Sequence, residues 1–326
     1  MSQNDKAVVL DFDCTITSVH LYALLFNKKL LIPTVLEKLL PYINTQDRVL
    51  TIGDFYKMRA NIIEFISNNS IEKIIGMNKF EINTMLMNGL SDPTSKDTLI
   101  AILFGGYQRI KALQSLFLQI NKAGYTLAIS SRGPIQSISI VLKSIDLFDY
   151  VDFIQYANRR YGSLYSNQKY SFSQISKQSV ILYPFGKEKF ILDLFNTEKY
   201  NHIIYMDDDP YEFNILRMGY SLDCEIDEHV YKCTFPNKSQ FLTFIGTLQR
   251  EGCGMQHHEM EVILNFVCPE CKLPIKIFSE IQKQNIVTVK NTIKPLSFSN
   301  DIAKSPYIFD GIPIGYHNKR SLLRSG

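Results

Sequence analysis

The chain has 326 residues, enough for two domains or for one large α/β domain with an insertion, and its 45% hydrophobic content supports a sizeable core. A net charge of +3 is too small to argue for a nucleic-acid partner by itself. MSQNDKAVV lacks an apolar signal region, no apolar stretch approaches the roughly 18 residues that span a bilayer, and the six cysteines show no disulfide-type spacing. The expectation is therefore a soluble, cytoplasmic protein with reduced thiols, not a membrane protein or a secreted disulfide scaffold.

Residues 7–17 read AVVLDFDCTIT. The apolar run Ala7 to Leu10 predicts a strand buried on both faces of a parallel sheet. Asp11 and Asp13 follow it, and strand alternation predicts that they share a side. Two like charges crowded at a strand end are costly unless a cation or a proton relieves them. Ligands of open α/β sheets bind at the carboxyl ends of such strands, so this stretch is the first candidate site.

From Ser18 to Gly105 apolar residues recur at helical spacing. Leu21, Leu24 and Leu25 mark one helix, Val35 to Leu40 a second, and Phe55, Met58, Ile62, Phe65 and Ile66 a third. Ile71, Ile74 and Ile75 mark a fourth, and Phe80 to Met87 a fifth that ends at the turn Ser91 to Pro93. From Gly106 the pattern becomes helix-then-strand. Tyr107 to Lys122 is a helix stopped by Gly124, Tyr125 to Ser130 a strand that runs into Ser131-Arg132-Gly133, and Pro134 opens another helix. Tyr150 to Tyr156 and Val180 to Tyr183 read as extended, and Lys187 to Phe195 as a helix. His202 to Met206 is a further buried strand, closed by Asp207, Asp208 and Asp209, and Pro210 starts the next helix. The alternation predicts a doubly wound parallel α/β sheet.

Three buried strands thus end in polar groups, and Lys187 stands at a helix start that can reach the same edge. In this order DFDCTIT, ISSRG, GKEKF and YMDDDP resemble the four motifs of the haloacid dehalogenase superfamily, with Cys14 where glycine is common and DDD for the usual Gly-Asp pair. The resemblance covers residues 7–220. It implies a Rossmann-like core, residues 1–17 and 106–250, and a helical cap, residues 18–105, of the kind found in the phosphoserine-phosphatase-like branch. Residues 251–326 form a basic extension that it does not explain.

The resemblance implies a magnesium-dependent phosphatase for a small phosphorylated substrate. Asp11 is then the nucleophile and Asp13 the general acid and base. Ser131 and Lys187, with Lys189 as the alternative lysine, bind the phosphoryl oxygens. Asp11, the Asp13 carbonyl and Asp207 or Asp208 hold Mg2+, and Thr15 supports the loop. One competing reading is a phosphatase of nucleotide or nucleic-acid termini, suggested by Arg159-Arg160 and by the tail from Lys272, where nine Lys/Arg face three Asp/Glu. The other is a catalytically weak scaffold that uses this tail for a protein partner. Cys268 and Cys271 form one CxxC, but a second paired ligand set for zinc is missing, which favours ordinary reduced cysteines.

Overall fold

A computed structural model of the chain describes residues 5–21, 24, 43, 45, 47–68, 93–133, 135–157, 179–183, 186–196, 200–209, 212–213, 216–217, 222–227, 230–235, 240–246 and 254–273. The helices expected over 35–40, 71–75 and 80–87, the Arg159-Arg160 segment and the tail from 274 lie outside these residues.

Among the described residues eight strands make one sheet: β1 (Lys6–Leu10), β2 (Thr126–Ser131), β3 (Phe153–Ala157), β4 (Ser179–Tyr183), β5 (His202–Asp207), β6 (Asp223–Asp227), β7 (Val230–Thr234) and β8 (Phe241–Gly246). Their order is β4-β3-β2-β1-β5-β8-β7-β6. The six strands from β4 to β8 are mutually parallel, and β7 and β6 complete the sheet as an antiparallel edge. The chain lays β2, β3 and β4 on one side of β1, then returns to place β5 on the other. That reversal opens a crevice at the carboxyl ends of β1 and β5, where α/β sheets bind ligands.

Among the described residues six longer helices accompany the sheet: α1 (Ile52–Asn68), α2 (Pro93–Phe104), α3 (Tyr107–Lys122), α4 (Ile135–Lys143), α5 (Lys187–Asn196) and α6 (His257–Val267). Successive side chains in β1 serve opposite cores. Val8 and Leu10 pack with Leu113, Phe117 and Ile120 of α3, Val141 of α4 and Ile263 of α6. Ala7 and Val9 join Phe190, Leu194 and Phe195 of α5 on the other face. Ala7 to Leu10 are all fully buried, which is why the strand reads as one apolar run. The result is an α/β architecture with helices on both faces, compatible with a Rossmann-like fold.

Several elements differ from the sequence reading. Pro93 does not end the insert's helical run; it is the first residue of α2, a position where its missing N–H costs nothing. The strands β6, β7 and β8 were not expected, and β6 and β7 carry exposed Asp223, Glu225, Lys232 and Thr234. Beyond residue 250, Met255, Met260, Ile263, Leu264 and Val267 belong to the same core as β1. The expectation of reduced thiols is corrected at two places. Cys224 and Cys233 face each other across the β6–β7 pair and are joined as a disulfide, as are Cys268 and Cys271 after α6. The sequence could not show the first pair, because opposition across an antiparallel ladder depends on register. Among the described residues no helix is long and apolar enough to cross a membrane.

Candidate active site

β1 stops at Leu10, so a turn rather than strand alternation places the next residues. Residues Phe12–Ile16 wind into a wide turn closed by Thr17 N donating to Phe12 O at 2.9 Å. Asp13 is extended inside it, and Cys14 adopts φ 59°, the left-handed region that disfavours a side chain by about 1–2 kcal/mol. This is the position where the motif commonly has glycine. Thr17 Oγ1 stitches the turn together, accepting from Cys14 N at 3.1 Å and lying within 3.1 Å of Phe12 O and 2.8 Å of Val19 O. The Thr15 side chain, expected to support the loop, leaves Oγ1 without a hydrogen bond among the described residues. Its carbonyl is the engaged group, accepting from Met255 N at 2.7 Å.

The turn delivers Asp11 into a buried charge cluster. Lys187, the first residue of α5, donates Nζ to Asp11 Oδ1 at 2.5 Å and to Asp207 Oδ2 at 2.8 Å. Lys187 is 4% exposed and Asp207 fully buried, so neither charge is solvated by bulk water. Asp207 Oδ2 also accepts from Tyr205 OH at 2.5 Å, and its Oδ1 from Asp209 N at 2.9 Å. Oxygens of Asp11, Asp207 and Asp208 lie within 4.8 Å of one another. Lys189, the alternative to Lys187, pairs instead with Asp193 one turn along α5.

Electrostatics follow from that crowding. Burial pushes the Asp11 carboxyl well above the ordinary carboxylate range; Lys187 opposes the rise, and Asp207 and Asp208 add to it. Burial, then the Asp207 charge, raises Asp208 to about 7. Burial by itself would lower Lys187, but Asp11 and Asp207 more than offset it and keep the ammonium protonated beyond its usual range. Burial and Asp207 likewise hold the Tyr205 phenol protonated. One ammonium bridging this group leaves an excess of negative charge. Hard oxygen donors at this spacing, unfavourable as anions together, fit a divalent cation such as Mg2+.

Asp13 is oriented separately. Its Oδ1 accepts from Leu21 N at 2.8 Å, with His20 Nδ1 at 3.8 Å. Ser131 closes β2, 1% exposed, and its Oγ accepts from Gly133 N at 3.0 Å. A side-chain carbon placed on Gly133 would stand 3.3 Å from both Asp13 Oδ2 and Ser131 Oγ, so the two groups flank one point. Ends of β1, β2 and β5 and the start of α5 thus meet at the crevice. Three further groups were not foreseen. Arg132 forms an ion pair with fully buried Glu212 and repels Lys187, Tyr205 secures Asp207, and Arg109 binds the back of the Asp11–Asp13 loop. Arg132 and Tyr205 lie inside the segments ISSRG and YMDDDP, though no role was assigned to them there; Arg109 carries no local signal.

Fold and site together define a doubly wound α/β protein with a carboxylate–lysine cluster at its switch point. No family model matches the chain, and no curated protein matches it. Among solved structures, a haloacid dehalogenase-like family hydrolase from Streptococcus pneumoniae is similar over 67% of this chain and 82% of its own, at 15% identity and a TM-score of 0.24. At that TM-score the likeness carries no weight, and the functional reading stands on motifs and geometry.

Proposed function

We propose that the chain is a magnesium-dependent phosphatase of the haloacid dehalogenase type, hydrolysing a phosphate monoester through an aspartyl-phosphate on Asp11. The observation that carries the reading is Lys187 bridging Asp11 and Asp207, residues at the ends of adjacent strands β1 and β5. A binding scaffold has no need of two buried carboxylates on one ammonium with a third, half-buried one beside them, an arrangement that costs stability without a ligand.

Each residue then has a task. With Oδ1 held by Lys187, Asp11 presents Oδ2 to phosphorus, and the P–O bond to the leaving group breaks as the new one forms. Asp13 gives its proton to the leaving oxygen, then takes one from the water that attacks the acyl phosphate. Ser131 and Lys187 hold the phosphoryl oxygens while charge builds on them. Asp11, Asp13 through its carbonyl, and Asp207 or Asp208 would hold the cation. Bound there, Mg2+ supplies charge neutralisation for the carboxylates and the incoming phosphate. The helices of residues 18–105 would serve as the cap that excludes water and selects the substrate.

Hydrolysis of a generic aryl phosphate tests the reading. Turnover is expected with magnesium and not with a chelator, and Asp11→Asn should lose at least roughly 1,000-fold in kcat, as removal of a covalent nucleophile does. Inert wild-type protein across a broad panel of phosphate esters would favour the scaffold instead.

A further inference from the structure

Arg109 stands on α3, outside all four motif segments, and is 3% exposed. Its Nη2 donates to Thr15 O at 2.9 Å, Nη1 to Ile16 O at 2.7 Å and Phe104 O at 3.0 Å, and Nε to Met255 O at 3.1 Å. One guanidinium therefore grips three separate segments: the loop behind Asp13, the last residue of α2, and the stretch of chain leading into α6. Its planar fork of donors suits this, since four carbonyls can be fixed relative to one another by a single rigid group.

Both neighbours are shaped around it. Gly105 and Gly106, at φ 74° and 97°, turn the chain between α2 and α3 so that Phe104 O meets the guanidinium. Gly254 has φ 60°, and a side-chain carbon there would lie 2.4 Å from Thr17 O and 2.5 Å from Arg109 Nη2. Only glycine permits that approach. Met255 N closes the far side by donating to Thr15 O at 2.7 Å.

We infer that Arg109 is a positioning residue for the phosphoryl transfer, and that residues 254–267 are the second jaw of its grip. The anchored carbonyls come directly after Asp13 and Cys14, where the backbone is held in a left-handed conformation that relaxes if released. Displacing a reacting group by about 1 Å can cost on the order of 100-fold in rate. The C-terminal third thereby gains a role at the site without supplying a reacting group. The kinetic part of this inference rests on the phosphatase reading; the structural part rests on the hydrogen bonds alone.

The test uses the full chain and variants on opposite jaws. Arg109→Lys keeps the charge but cannot reach four carbonyls, and Gly254→Ala leaves residue 109 an arginine but drives a side-chain carbon against its Nη2 and Thr17 O, forcing the two jaws apart. Both should lower kcat for an aryl phosphate roughly 10- to 100-fold while KM stays within about twofold. Both should speed amide hydrogen exchange in residues 12–18 in protein that still melts cooperatively, and millimolar guanidinium should restore part of kcat to Arg109→Ala. Wild-type kcat and wild-type exchange in both variants would overturn the inference, as would a kcat that falls only in proportion to the folded fraction. Should Arg109→Lys fail to fold, Gly254→Ala decides. Should wild type hydrolyse no ester, the phosphatase reading fails, and exchange in residues 12–18 decides the grip: faster supports it, unchanged overturns it.

Discussion

Lys187 brings an ammonium that is 4% exposed to two carboxylates that would otherwise repel each other in a dry site. Breaking one side of a buried ion pair leaves an uncompensated charge and costs about 3–5 kcal/mol. Lys187→Met should therefore lower the urea midpoint of the metal-free protein by a corresponding amount, and magnesium should recover part of the loss. An unchanged midpoint would mean that the bridge contributes nothing. Asp208 gives the pH dependence. Its folded pKa of about 7 lies above the ordinary carboxylate value, so the folded protein takes this proton more readily than the unfolded chain. The resulting stability is present below about pH 4 and is lost as pH rises through 7. The metal-free melting temperature should accordingly fall between about pH 4 and 7, while magnesium affinity rises over the same interval as the cation displaces the proton. Calorimetric titration in two buffers of different ionisation enthalpy reads the released protons, and Asp208→Asn should reduce that release, the remainder coming from Asp11, whose carboxyl burial also raises.

Among the elements, α1 shows how local chemistry sets a boundary. Thr51 Oγ1 accepts from Asp54 N at 3.3 Å, and Asp54 Oδ2 accepts from Thr51 N at 2.8 Å, with Arg48 Nη1 at 2.7 Å. This reciprocal capping satisfies two backbone donors at the helix start. Asp54→Ala should destabilise the protein by about 1 kcal/mol, measured as a shift of the urea midpoint at constant slope. Elements whose burial follows one regular pattern were legible: β1 and β5 as apolar runs, and α3, buried at helical spacing, which spans the expected Tyr107 to Lys122. Those that failed did so for identifiable reasons. The β6–β7 edge turns Asp223, Glu225, Lys232 and Thr234 to solvent, so its composition reads as polar loop. Pro93 fits a turn and a first helical turn equally well, and only the packing of α2 on α1 decides.

Across the whole molecule, the residues named from the motifs could be ordered along the chain but not placed. Lys187 and Asp11 are 176 positions apart, and sequence states nothing about their 2.5 Å contact beyond the strand-end logic of α/β sheets. A group that acts through tertiary neighbours left no local trace: Arg109 looks like any charged residue on a helix. The central claim is that Asp11 takes a phosphoryl group. Rapid acid quench of wild-type protein turning over an aryl phosphate with magnesium, with peptide mass spectrometry of the quenched protein, tests it most directly. A single acid-stable, hydroxylamine-labile phosphoryl group is expected on Asp11, absent from Asp11→Asn. Turnover with no phosphoryl protein at any quench time, or full activity in Asp11→Asn, would contradict it.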